Sequence, residues 1–307
     1  MRALILGGTG AVGRATGAAL EARGHEALRG SRTAGAGPGR VQLDVSTAEG
    51  RGRAVDAASG CDVVINTSGR DDLDLARDLA GIPYVDTSAS TAYLAELRRL
   101  AGPATRVIGA GIAPGVSTVL AAALDPQPGD EIDISVLLGT GEVHGPAAVA
   151  WTADLAGRAV YRAPEREPIR NYRERRRMAV DGRSRLHLRT DFPDHVLLEA
   201  SGATIRTYLT LGSPLATAGL AVVGAMPALR GILAAAPHWG DDRWRVAARS
   251  RRTGQTLEAA GFGQSRATGE FAALAAIRAA GRPGLGAVTM ADLFGPEVLS
   301  EADCVTG

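Results

Sequence analysis

Short apolar runs alternate with helically spaced apolar positions through the first third of the chain. Residues 3–6, 25–28 and 41–43 predict strands, and residues 12–23 predict a helix between the first two, with apolar positions at the 3.6-residue period. Strands follow at 62–66, 84–87 and 106–108. Helices at 73–80 and 91–100 separate them, each expected to close on a glycine just past its end, Gly81 and Gly102. Alternation of this kind builds parallel β-α-β units, because each helix returns the chain to start the next parallel strand. The pattern predicts an α/β fold, a Rossmann doubly wound parallel sheet.

Beyond Pro126-Gln127-Pro128-Gly129 the pattern changes. Segments 131–138, 204–211 and 243–247 alternate polar and apolar residues, as antiparallel strands with one solvated face do. Near the end, 269–280 reads as an amphipathic helix and 290–299 as short capped turns that return to the first domain. The expected organisation is a dinucleotide-binding domain of residues 1–124 plus 255–307. Residues 125–254 form an inserted α+β substrate and oligomerisation domain with a mixed or antiparallel sheet, through which a homodimer is expected. The most apolar stretch, 215–229, is too short for a membrane span and is interrupted by Pro227, so it reads as a buried helix.

Composition narrows the chemistry. The chain has 307 residues, 45% hydrophobic and 22% charged, which suits a soluble globular protein of one large or two ordinary domains. All 34 basic side chains are Arg and none is Lys. This excludes a Schiff-base enzyme, a Walker-type phosphate loop and the Tyr-x-x-x-Lys pair of short-chain dehydrogenases. With 34 basic against 33 acidic residues, nucleic acid is not expected as a partner. The Arg-rich stretch 162–189 reads as a solvated strand or helix face, with anion binding as the alternative. Cys61 and Cys304 and five scattered histidines form no metal pattern, and no signal segment precedes the first apolar run, so a reducing cytoplasm fits.

The chemistry-bearing motif is Gly7-Gly8-Thr9-Gly10-Ala11-Val12-Gly13, placed between a strand and a helix. Glycines there let the backbone turn sharply and approach a pyrophosphate, while the helix N-terminus offers free N–H donors and positive dipole. At the end of the second strand, where an acid would bind the ribose of NAD, stand Ser31 and Arg32. A hydroxyl and a planar guanidinium suit a 2′-phosphate, so NADP is expected over NAD. Asp44 and Val45 end the third strand on the adenine side, and Thr67 and Ser68 follow the fourth on the ribose and nicotinamide side.

Ile82-Pro83-Tyr84-Val85-Asp86-Thr87-Ser88 and the turn Gly109-Ala110-Gly111-Ile112-Ala113-Pro114-Gly115-Val116-Ser117, together with Gly261-Phe262-Gly263-Gln264-Ser265-Arg266-Ala267-Thr268-Gly269 near the end, resemble the saccharopine dehydrogenase (saccharopine reductase-like) family. The resemblance covers about two thirds of the chain in order. It implies a Rossmann domain completed by the C-terminal segment, an inserted substrate domain, and hydride transfer to or from NAD(P).

Two groups are candidates for proton transfer. His144, ahead of the helix bearing Trp151, can deliver a proton at neutral pH or serve only as a turn residue. Asp86 can act as an acid or merely cap the next helix. The substrate, a small polar and amino-acid-like metabolite carrying a C=N or C=O bond, is expected near Ser88, His144 and Trp151. The other reading is an NADP-binding sensor that catalyses nothing.

Overall fold

The computed structural model describes residues 1–33, 37–142, 146–180, 182–235, 240–282, 284–302 and 305–306. Its strands, in chain order, are β1 (Arg2–Leu6), β2 (Glu26–Ser31), β3 (Arg40–Gln42), β4 (Val63–Asn66), β5 (Tyr84–Asp86), β6 (Arg106–Ile108), β7 (Glu131–Leu138), β8 (Arg175–Val180), β9 (Arg183–Arg189), β10 (Thr204–Leu211), β11 (Arg243–Ser250), β12 (Thr256–Phe262), β13 (Ala287–Thr289) and β14 (Val305–Thr306). The helices are α1 (Ala11–Ala22), α2 (Ala48–Ala58), α3 (Leu73–Asp78), α4 (Thr91–Arg99), α5 (Val116–Ala123), α6 (Pro146–Leu155), α7 (Asp194–Leu197), α8 (Pro214–Ala225), α9 (Gln264–Gly281), α10 (Met290–Leu293) and α11 (Val298–Glu301). Two compact units result: Met1–Gly115 with Ser265–Gly295, and Val116–Gln264 with Pro296–Gly307.

The first unit is built on a parallel sheet of order β3-β2-β1-β4-β5-β6-β13. Strands of such a sheet are covered on both faces, so Ala3–Leu6 and Val63–Ile65 are completely buried and read as unbroken apolar runs. The order reverses between β1 and β4, and the strand ends beside that reversal are where an open α/β sheet holds a ligand. Helices α3 and α4 stop at Asp78 and Arg99, and neither Gly81 nor Gly102 takes the left-handed conformation expected of a closing glycine. Leu100, extended, ends α4 instead. The end segment supplies α9 and then β13, which pairs with β6 at the sheet's far edge.

The second unit carries a mixed sheet of order β14-β12-β11-β7-β10-β9-β8. The sheet is the mixed one of the two forms expected: β7 pairs antiparallel with β11, while β7 and β10, which alternate like antiparallel strands, run parallel, in register from Glu131↔Thr204 to Leu138↔Leu211. Against expectation, neither face of β7 is solvated. Ile132, Ile134 and Val136 face α5, while on the other side Asp133 and Ser135 are almost fully buried too. Neighbouring strands explain this, because Arg206 and Tyr208 of β10 and Arg189 and His187 of β9 share that second face by register. Asp133 accepts from Nε and Nη2 of Arg251 at 2.8 and 2.9 Å, and the guanidinium groups of Arg176 and Arg189 lie 5.6 and 5.7 Å from the Tyr208 ring. Long cationic side chains thus cover the polar face themselves.

The reading of 162–189 as a solvated face holds for Arg175 and Arg177, which are exposed, and fails for Arg189, only 1% exposed. The 215–229 stretch is also corrected. It folds as α8 followed by a 3-10 segment (Pro227–Ala235), and Leu215, Val222 and Met226 stand exposed, Leu215 by 84%. Residue 255 falls in the turn of the β11–β12 hairpin, so by compactness the chain re-enters the first unit at Ser265 and leaves it again at Pro296, to place β14 beside β12.

Candidate cofactor site

The glycine loop is drawn tight by its own backbone. Gly7 and Gly8 N–H both donate to the Gly30 carbonyl at 2.9 and 3.0 Å, which ties the loop to the end of β2, and Gly10 N–H turns back onto the Gly7 carbonyl at 2.9 Å. Gly7 has φ of +80°, and a Cβ there would stand 2.7 Å from the Thr67 carbonyl and the Ser68 Cα. A Cβ on Gly13 would meet the Gly7 carbonyl oxygen at 2.3 Å. At Gly10 only that same oxygen lies near, at 3.2 Å, so the other side of the loop is open. Helix α1 starts at Ala11 with no side-chain cap, which leaves the first-turn N–H groups of Ala11, Val12 and Gly13 facing outward at the positive end of the helix. Arg14 folds back to donate to the Thr9 carbonyl at the loop's rim.

Beside this loop, β2 ends in Ser31, whose hydroxyl is buried and has no hydrogen-bond partner among the described residues, followed by the exposed Arg32. Arg29, by contrast, lies across Gly17 of α1 and bonds Glu21 at 2.7 Å, so it is occupied with packing. Asp44 accepts from the Ser46 hydroxyl and amide at 2.7 and 3.0 Å. Those bonds hold its carboxyl below the ordinary carboxylate range, with the charges of Arg32 and Arg70 pulling the same way. Val45 is buried beneath it.

The turn after β4 is fixed by Asn66. Its Oδ1 accepts from the Ser68 hydroxyl and amide at 2.6 and 3.2 Å, and its Nδ2 donates to the Arg70 carbonyl at 3.2 Å and to Asp86 Oδ2 at 2.9 Å. Thr67 is held to the end of β1, its amide and hydroxyl both on the Leu6 carbonyl. Asp86 itself is fully buried. Besides Asn66, Oδ2 accepts from Tyr84 and Tyr93 at 3.1 and 2.9 Å, and Oδ1 takes the Ser88 amide at 2.8 Å. Burial pushes this carboxyl up to about 6 against the pull of those bonds, and burial near its charge raises both tyrosines, which remain donors. Ser88 donates to Asp71 at 2.7 Å.

The structure therefore brings Gly7, Gly8, Thr9, Gly10, Ala11, Val12, Gly13, Ser31, Arg32, Asp44, Val45, Thr67, Ser68, Asp86 and Ser88 to one edge of the first sheet, at the carboxyl ends of β1–β5. His144 lies outside the described residues, as do Cys304 and His238. Trp151 belongs to the second unit, where its ring packs on Phe192 at 5.3 Å. The sequence places Asn66 in the strand-end turn on the cofactor side but gives neither it nor Arg70 a site role, since an Asn at a strand end reads equally as turn chemistry.

Two further polar centres lie in the second unit. His187 is buried against Ser135, Nε2 to Oγ at 2.7 Å, and its Nδ1 lies 3.1 Å from the Arg185 carbonyl. Burial brings its imidazole down to about 4, so the neutral ring donates from Nδ1 and accepts from Ser135. Asp194 is fully buried and accepts from Ser117, Thr118 and Thr207 at 2.7, 2.9 and 3.2 Å. Among the described residues no group of His, Cys, Asp and Glu could hold a metal ion, and no helix is long and apolar enough to cross a membrane.

An engineered D-amino acid dehydrogenase, solved bound to NADP+, superposes over 99% of both chains with a TM-score of 0.51 at 16% sequence identity. The two chains share a fold. A C. glutamicum DAP dehydrogenase in complex with DAP gives 0.49 at 15% identity, covering 98% of this chain and 97% of its own. A dihydrodipicolinate reductase from a Paenisporosarcina species gives 0.42 at 12%, covering 96% and 99%. These two likenesses are too loose to bear weight. No protein-family model matches the sequence, and no curated protein matches it either.

Proposed function

We propose that this chain is an NADP-dependent oxidoreductase of saccharopine reductase type, acting on a C=N or C=O bond of a small polar, amino-acid-like metabolite. The observation that carries the reading is the uncapped, glycine-lined start of α1 beside a strand end that offers a buried hydroxyl with no partner among the described residues, Ser31, and a guanidinium, Arg32. The first-turn amides of α1 would hold the pyrophosphate and Ser31 and Arg32 the 2′-phosphate. Asp44 and Val45 would flank the adenine, and Thr67 and Ser68 the nicotinamide half. Bound there, the cofactor supplies or accepts the hydride. The motif likeness to saccharopine reductases and the NADP+ held by the engineered dehydrogenase of the same fold support the choice of chemistry. His144 is the group assigned to proton transfer, with Ser88 and Trp151 toward substrate. Homodimerisation through the second unit belongs to the same reading, supported by the exposed apolar residues Leu215, Val222 and Met226.

Calorimetric titration with NADPH and NADH tests the cofactor, followed by a turnover screen of keto acids with ammonia and of amino acids with NADP+. Tight NADPH binding is expected, with NADPH consumed on a keto acid or formed from NADP+ on an amino acid. Equal, weak binding of both cofactors would discard the reading. One observation favours a sensor without turnover: the sole carboxylic acid candidate, Asp86, is buried with both oxygens engaged. NADPH binding with no turnover of any substrate would select that alternative.

A further inference from the structure

We propose that Asp86 is a positioning residue for the cofactor, acting through Asn66 to hold the 67–70 turn against the glycine loop; this rests on the dinucleotide-binding reading above. The linkage is continuous. Asp86 Oδ2 takes one Asn66 Nδ2 hydrogen, which fixes the amide's orientation and turns Oδ1 toward the Ser68 amide and hydroxyl. The same Nδ2 holds the Arg70 carbonyl, so both ends of the turn hang on one side chain. That turn touches the glycine loop with almost no slack, because a single added carbon at Gly7 would lie 2.7 Å from Thr67 and Ser68 backbone atoms. Thr67 also reaches the third glycine, its Oγ1 standing 2.8 Å from where a Gly13 Cβ would be. Movement of the turn therefore has to move the phosphate cradle.

The composition of the cluster fits this role better than acid catalysis. The carboxylate is met by donors: one amide side chain, two phenols and one backbone N–H. A carboxylate satisfies all four, and no substrate proton has a path to an atom that is 0% exposed. Asparagine cannot replace it. In one orientation its NH2 meets Asn66, Tyr84 and Tyr93, all donors, and in the other it meets the Ser88 amide.

The test measures NADPH and NADH binding by calorimetry on the full chain for wild type, Asp86→Asn, Asn66→Ser and the double variant, reading stoichiometry separately from Kd. Each single change is expected to raise Kd about tenfold for both cofactors, since the turn is assigned to the half they share. The double variant should be about tenfold weaker as well, rather than a hundredfold, because both changes break one link. A purely structural role would instead lower the fraction of competent protein and leave Kd alone. Kd within twofold of wild type in Asn66→Ser, or losses that multiply in the double variant, overturns the proposal. If Asp86→Asn does not fold, Asn66→Ser decides alone. Wild-type protein that binds neither cofactor would overturn the functional reading itself, and the positioning role with it.

Discussion

The two sheets place their polar groups in opposite ways. In the first unit, β1 and β4 are apolar along their length, and hydrogen-bonding side chains gather where strands end: Ser31, Asn66, Thr67 and Asp86. In the second, Asp133, Ser135, His187, Arg189 and Tyr208 lie within the strands, on one face, and engage one another. An apolar sheet leaves its chemistry at the rim, free to meet a ligand. A sheet with polar strands consumes its charges internally, and what it gains is a specified packing rather than an available site.

The largest expected effect breaks the second unit's internal satisfaction. Asp194→Ala removes the acceptor shared by Ser117, Thr118 and Thr207. Stranding buried hydroxyls in this way should cost about 3–5 kcal/mol, read from urea unfolding; a loss under about 1 kcal/mol would show that the network is dispensable.

Next is the buried carboxylate of the first unit. Because Asp86 is raised to about 6, the unfolded chain releases that proton at lower pH than the folded chain does. Its stabilising contribution is complete below the unfolded value and disappears as pH rises through the folded one. Wild type should thus lose about 3 kcal/mol relative to Asp86→Asn between about pH 4 and about pH 7. A pH-independent difference between the two proteins would contradict the burial argument.

At the rim, Arg32→Asp should weaken NADPH binding about ten- to hundredfold and leave NADH binding nearly unchanged, the amount expected for one charge-assisted phosphate contact. Equal losses in calorimetry would remove Arg32 from the 2′-phosphate. The smallest effect is reserved for Arg189→Met. Nε and Nη2 of this buried guanidinium lack hydrogen bonds, with Glu165 and Glu174 oxygens at 3.7 and 4.0 Å. An apolar side chain of similar length should leave stability within about 1 kcal/mol, since Glu165 keeps Arg206 and Glu174 keeps the Tyr208 hydroxyl, each at 2.8 Å, so neither carboxylate is stranded. A loss of several kcal/mol would mean that the polar sheet depends on this cation.

The same contrast explains what sequence could convey. The β-α-β units and the glycine loop are local, so period and punctuation are enough to place Gly7–Gly13 between β1 and α1. The pairing of β7 with β10 is not local, and alternation of polar and apolar residues looks identical whether the polar side meets water or meets Arg206, Arg189 and Arg251. Likewise Ser135 and His187 are 52 residues apart, and nothing near either one signals the other. Asn66 received no role of its own for a related reason: its bond to Asp86 crosses to a residue on the neighbouring strand.

The order in which the strands leave the ribosome carries a last consequence. β13 is made about 180 residues after its partner β6, and β14 later still, although each closes an edge, one in each sheet. Until β13 is made, one edge of β6 presents unpaired N–H and C=O groups, the kind of surface that recruits strands from other chains. A nascent chain stalled before Ala287, or a protease nick just ahead of it, would strip the closing strand from both sheets at once. Synthesis of β13 and β14, rather than completion of the first unit's early strands, is therefore the step that covers these two sheet edges.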